Sequence, residues 1–276
     1  DFLSEQPASD ETYQVFLNMY AYDPAPLNAA IEARDTTPED WVREWISFDA
    51  AYGGERMLAH LFVPKNARPP YQAVVYFPGS GAIYQDSLSS WAGEFLVKDG
   101  RAVIIPVYDG TYERRDDLDT DTPNETIAYR DRVVRWYQDL GRSIDYLEAR
   151  EEIDASKLAY FGLSWGGRMG VLMTAVEPRF DAAVFYVAGL KFQRPQPEAD
   201  PFNFVTRLEI PVLMLNGRHD MFFPVETSQK PMFQLLGTPD EHKRHVIAEG
   251  GHDVPRQLLI RETLDWLDRY LGPVER

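Results

Sequence analysis

The 276-residue chain contains no cysteine, which excludes disulfides, thiolate metal sites and a cysteine nucleophile. Basic residues are scarce: 28 Lys and Arg stand against 44 Asp and Glu, a formal charge of −16. That field repels nucleic-acid phosphates, anionic lipid headgroups and polyanionic substrates, so a nucleic-acid partner is not expected. No apolar run approaches the roughly 18 residues of a membrane-spanning helix, so membrane insertion is not expected. The first thirty residues are acidic and lack the apolar stretch of a signal peptide. The chain opens on Asp1, which allows a processed or trimmed segment before it, and the compartment stays unassigned. H-E-x-x-H, Walker and dinucleotide motifs are also missing, so neither metal nor cofactor is implied.

What is present suffices for one large core. A chain of this length buries roughly 75% of its unfolded surface, and a single domain over 1–276 is expected. Tyr13, Phe16, Leu17 and Tyr20 recur at helical spacing, so Asp10–Ala33 reads as helix with a break at Asp23-Pro24, inside an N-terminal arm over 1–40. Val42–Ala50 and Met57–Val63 flank Tyr52-Gly53-Gly54-Glu55 and read as an antiparallel hairpin. Short apolar strands follow at Ala73–Phe77, Ala102–Val107, Leu158–Phe161, Ala182–Val187, Pro211–Leu215 and His245–Ala248. Helices are expected between them. One is capped by Thr122-Pro123-Asn124-Glu125 and runs to about Arg150; others cover Gly162–Ala175, Val225–Leu236 and Pro255–Leu271. Short unbroken strands alternating with helices point to a mostly parallel α/β sheet covered on both faces. Gly189–Leu208, broken by Pro195, Pro197 and Pro201, leaves room for a small lid loop at most.

Chemistry concentrates at Gly162-Leu163-Ser164-Trp165-Gly166-Gly167, a G-x-S-x-G run placed where a strand turns into a helix. A serine on that turn projects its hydroxyl from the sheet's carboxyl edge, and glycines two before and two after relieve the crowding. The hydroxyl needs a base of near-neutral pKa. Of the five histidines, His60 lies in the hairpin and His242 and His245 at the wrong end of the last strand. His252 follows that strand in a loop and is the expected base. Asp220, beyond the Pro211–Leu215 strand, is the expected acid that orients the imidazole, with Asp253 as a rival; His219 beside it reads as a structural or surface histidine.

The elbow GLSWGG, the loop NGRHDMFFPVE and the stretch AEGGHD resemble the α/β-hydrolases, over roughly residues 45–272. Within them the resemblance is to the branch holding dienelactone-hydrolase-like enzymes, acetyl-xylan-esterase-like carboxylesterases and prolyl-oligopeptidase-like catalytic domains. The resemblance implies an α/β-hydrolase fold and assigns Ser164, Asp220 and His252 as nucleophile, acid and base. It implies an oxyanion hole from the N–H groups of Trp165 and Ser80, with Gly81 as the alternative in Pro78-Gly79-Ser80-Gly81. The stretch from AYDPAPLNA to AYGGERMLAHLFVPKN is similar to hydrolase modules at the ends of large bacterial multidomain proteins, so a longer parent chain is allowed; so is a homodimer.

Tyr84, Trp91, Phe222 and Phe223, with the Trp165 ring, are candidates for the pocket wall. The run Asp116–Asp121 has calcium-loop spacing, but Thr122 and Ala128 stand where a glycine and a glutamate belong, so a solvated acidic loop is expected. The expected function is a serine carboxylesterase acting on small, neutral esters of short to medium acyl length, acetylated sugars and aryl esters included. A serine peptidase and a non-catalytic interaction module are the alternatives.

Overall fold

The computed structural model describes every residue from Asp1 to Arg276. Its strands are β1 (Ala30–Asp35), β2 (Trp41–Asp49), β3 (Arg56–Pro64), β4 (Tyr71–Phe77), β5 (Ala102–Pro106), β6 (Ile153–Leu163), β7 (Ala182–Tyr186), β8 (Val212–Gly217) and β9 (Lys243–Ala248). Its helices are α1 (Asp10–Tyr20), α2 (Gly81–Tyr84), α3 (Glu94–Asp99), α4 (Ile127–Glu148), α5 (Trp165–Val176), α6 (Lys230–Leu235) and α7 (Arg256–Leu271). All nine strands join in one sheet, ordered β1-β2-β3-β5-β4-β6-β7-β8-β9. The first three are antiparallel and β3 runs antiparallel to β5; from β5 to β9 every pairing is parallel.

Side-chain alternation along the strands divides the core in two. Ala73, Val75 and Phe77 of β4 face Trp136 and Leu140 of α4 and Met169 and Leu172 of α5. Val74 and Tyr76 face Leu96 of α3 and Trp266 and Leu267 of α7. Near-continuous apolar strands are what a sheet covered on both faces needs.

The strand order positions the site. From β4 the chain steps outward to β5, then crosses back to β6 on the other side and continues away to β9. The loops after β4 and β6 therefore diverge and open a crevice at the carboxyl edge, the usual ligand position in open α/β sheets.

Three expectations need correction. The helix expected over Asp10–Ala33 ends at Tyr20, and Ala30–Asp35 is an edge strand on β2. Tyr13, Phe16 and Tyr20 supply the helix's buried face; beyond Pro24 no such periodicity continues, and β2 offers backbone partners. The first antiparallel element is thus a three-stranded unit. The long helix α4 starts not near Thr122 but at Ile127, where the Thr126 hydroxyl caps the Tyr129 N–H at 3.2 Å. Between Pro197 and Arg207 the expected lid loop forms three short 3₁₀ turns, and Phe202, Phe204 and Val205 are buried in the core.

Gly166 tests the crossing of β4 and α5. A Cβ there would lie 2.2 Å from the Phe77 carbonyl oxygen and 2.8 Å from the Phe77 Cβ, so β4 and α5 would have to separate. Gly166→Ala is expected to lower stability by about 1–3 kcal/mol, read as a drop in Tm by calorimetry. Gly251→Ala, with nothing within 4 Å of the added atom, should leave Tm unchanged.

Candidate active site

Ser164 ends β6 with φ 55° and ψ −102°, a conformation an ordinary residue adopts only under constraint. The surroundings supply it. The Ser164 N–H donates to the Tyr186 carbonyl at 2.8 Å, and the Gly166 N–H to the Pro78 carbonyl at 3.0 Å. At Gly162 a Cβ would fall 2.3 Å from the Gly166 carbonyl oxygen. Glycine at both positions lets the backbone fold this sharply against β4.

His252 arrives on the loop after β9. Its Nε2 lies 2.7 Å from Ser164 Oγ, and its Nδ1 lies 2.8 Å from Asp220 Oδ2. The buried Asp220 also accepts the N–H groups of Phe222 (2.8 Å) and Phe223 (3.1 Å) on Oδ1, which fixes the carboxylate plane. With Nδ1–H donated to Asp220, the Nε2 lone pair faces the serine hydroxyl. The loop is anchored by the Arg218 and His219 N–H groups on the Ala248 and Gly250 carbonyls. Gly217 admits this close approach, because a Cβ there would meet the Gly251 carbonyl oxygen at 1.9 Å. Asp253 turns away from the imidazole and accepts the Gly251 N–H at 3.2 Å.

The Ser80 N–H donates to no protein acceptor, and the Trp165 N–H, first in α5, has no acceptor inside its helix. The Ser80 hydroxyl donates to Asp121 Oδ1 at 2.7 Å. Arg168 Nη2, one turn along α5, donates to Asp121 Oδ2 at 3.3 Å and to its carbonyl at 2.8 Å. Asp121, on the segment after β5, therefore links the loop after β4 by a hydrogen bond to the helix after β6 by a buried ion pair.

A cavity of about 580 Å³ opens over these groups, lined by Ser164, His252, Gly79, Ser80, Tyr84, Phe222 and Phe223 among others. Tyr84 and Phe222 are exposed at its rim, whereas Phe223 is buried beneath. The Phe222 and Phe223 ring centres lie 4.8 and 5.9 Å from that of His252. Trp165 and Trp91 do not line this cavity. The Trp165 ring is fully buried between Phe77 and Trp136, so it serves the core; Trp91 packs on Phe62 and Tyr76 in a neighbouring cleft. The acidic run is not uniformly solvated either. Asp116 and Asp117 pair with Arg132, and Asp121 is buried against Arg168 and reaches the cavity.

Sequence reasoning missed Thr120, Thr122, Arg168 and Lys191. Lys191 lies a few residues beyond β7 at the carboxyl edge, a position that could have marked it. It lines the cavity, and it is the one lysine of six with no hydrogen-bond or ion-pair partner. Partial burial lowers its pKa from the usual lysine value, opposed by Asp121. The other histidines stay outside. His60 is buried between Arg43 (3.3 Å) and Glu113 (3.4 Å), and burial lowers its pKa. His242 touches the Tyr270 hydroxyl, His219 is exposed beside Glu249, and His245 is pushed down to about 4 by burial.

A strained serine at a strand-to-helix turn, on a sheet with this strand order, defines the class as an α/β-hydrolase fold. The dienelactone hydrolase family pattern matches residues 57–252, and the chain belongs to that family. It is accordingly a carboxylic ester hydrolase. Cutinase 2 of Thermobifida cellulosilytica is 25% identical over 268 residues, covering 92% of this chain and 87% of that protein. A cutinase of Thermobifida fusca is also 25% identical over 268 residues, covering 92% and 72%. Among solved structures, an acetyl xylan esterase from a Thermoanaerobacterium species superposes with a TM-score of 0.72 at 15% identity, covering 96% of both chains. One from a Paenibacillus species gives 0.68 at 16%, covering 94% and 92%. At these identities the two structures speak for the fold.

The Arg168–Asp121 pair can be tested by a double-mutant cycle. Arg168→Met leaves a buried carboxylate and is expected to cost about 3–5 kcal/mol. The double variant with Asp121→Asn should cost less than the sum of the singles, with a coupling above about 1 kcal/mol in denaturant unfolding.

Proposed function

We infer that the chain is a serine carboxylesterase working through an acyl-enzyme. The observation that carries this is the continuous hydrogen-bond path Asp220–His252–Ser164 on the wall of a cavity open to a small ester. In this reading Ser164 Oγ attacks the ester carbonyl carbon and passes its proton to His252 Nε2. Asp220 stabilises the resulting imidazolium through Nδ1–H. The carbonyl oxygen becomes an oxyanion that accepts the Ser80 and Trp165 N–H groups, each such donor contributing about 3–4 kcal/mol in the transition state. When the tetrahedral intermediate collapses, the C–O bond to the alcohol breaks and His252 gives its proton to the departing oxygen. Water then attacks the acyl-enzyme, with His252 taking its proton, and releases the acid and the free serine.

Esters of short to medium acyl length fit a cavity of this size, and the likeness to cutinases and, in fold, to acetyl xylan esterases favours carboxylic esters over amides. The whole-chain charge argues for neutral substrates. The serine-aromatic-glycine-glycine run that suggested a peptidase has a local explanation, since the Trp165 ring packs the core and both glycines admit close backbone contact.

The test is hydrolysis of p-nitrophenyl esters from acetate to dodecanoate, beside prolyl and alanyl p-nitroanilides. Ester turnover with silent anilides is expected. Ser164→Ala should lower kcat on the order of 10⁶-fold, and Asp220→Asn roughly 10⁴-fold. Anilide turnover matching that of the esters would point to the peptidase instead.

A further inference from the structure

Beside the main cavity lies a second cleft of about 380 Å³. The two share Gly79, Gly81 and Leu163 as a common wall, while Ser164, His252 and both cavity phenylalanines line only the first. The far side of the cleft is aromatic, made by Tyr76, Trp91 and Tyr112.

The Trp91 ring is fixed in place. It meets Tyr76 edge-on at 5.2 Å between ring centres and Phe62 at 5.0 Å. Behind it stands Gly93, where a Cβ would come within 2.7 Å of the indole. Tyr112 holds φ at 44°, a conformation that strains a bulky residue. A half-exposed indole locked on two sides, beside a tyrosine on strained backbone, is a preorganised wall rather than loose surface.

Reaction chemistry gives the cleft a direction. Resting on the serine-esterase reading above, the departing alcohol oxygen must lie near His252 Nε2 to receive its proton. The acyl substituent on the same carbonyl then points away from His252. The cleft opens across Leu163 and Gly79, on the side whose lining lacks His252. We propose that this cleft is the acyl subsite and that it selects esters of aromatic acids, whose ring stacks against Trp91. Flat rings suit these walls, and an immobilised indole loses little freedom when a ring packs on it.

The experiment holds the leaving group fixed and changes only the acyl part. The ratio of kcat/KM for p-nitrophenyl benzoate to that for p-nitrophenyl acetate is measured in the wild type, Trp91→Ala and Gly93→Ala. Both variants are expected to lower the ratio by about 5-fold or more while acetate turnover stays within about 2-fold. Phenylboronic and methylboronic acids provide a second readout, because boron takes the Ser164 oxygen and its substituent occupies the acyl position. Phenylboronic acid should lose affinity in both variants and methylboronic acid should not. If benzoate and acetate fall together, or the ratio and the boronate affinities hold, the cleft is not the acyl subsite although the esterase reading stands. If the wild type turns over neither ester and binds neither boronate, the esterase reading fails and the subsite with it.

Discussion

The contact on which the site depends is the approach of the α5 N-terminus to the ends of β4 and β6. Three backbone segments meet there with no side chain between them. The Gly166 N–H bonds the Pro78 carbonyl, the Ser164 N–H bonds the Tyr186 carbonyl, and Gly162 lies beneath the Gly166 carbonyl. That crowding holds Ser164 at positive φ. Presentation of the serine hydroxyl is therefore a consequence of one packing constraint. The strain at Ser164 persists because the glycines let surrounding backbone determine it.

Charge is arranged on a second principle. Although the chain is strongly acidic, two of its buried carboxylates beyond Asp220 are matched by arginine. Asp121 meets Arg168, and Asp139 meets Arg114 together with the Tyr52 hydroxyl and the Asp109 N–H. Even so, burial pushes Asp139 up to about 6. Arginine suits these places because its planar fork serves two acceptors at once, as Arg168 does with the carboxylate and carbonyl of Asp121. The other five lysines have hydrogen-bond or ion-pair partners, whereas Lys191 on the cavity wall has neither.

Much of this was legible in the sequence because it is local. Gly162–Gly167 carries its own geometry, and Asp220 and His252 each follow a short apolar strand, so their edge of the sheet could be assigned from order alone. The five histidines separate for the same reason, since strand direction sets His242 and His245 at the other end of the last strand. What escaped was set by long-range packing. Nothing near Asp121 announces that it will be buried against Arg168, forty-seven residues away. Trp165 and Trp91 each allow a pocket or a core reading from sequence, and only the tertiary contacts with Trp136, Phe77 and Phe62 decide. Thr122-Pro123-Asn124-Glu125 offered a well-formed capping sequence, yet Thr126 caps the helix. Asp121 and Thr122 are held at the cavity wall, which leaves the chain no room to begin its helix there.

The strand order explains why two depressions rather than one meet at Leu163. Because the strand order reverses between β5 and β6, the loop after β4 borders the crevice and separates the cavity lined by His252 from the cleft lined by Trp91. An ester carbonyl held over Ser164 has two arms, and the reaction makes them unequal, since only the leaving oxygen needs a proton. A loop that supplies an oxyanion donor from its backbone must run close to the carbonyl, and so it also becomes the divide between those arms. The residue before the serine, Leu163, completes that divide from below. Discrimination on the acyl side can then vary with Trp91, Tyr112 and Gly93 while Asp220, His252 and Ser164 keep their geometry, because the two sets of residues sit on separate segments of the chain.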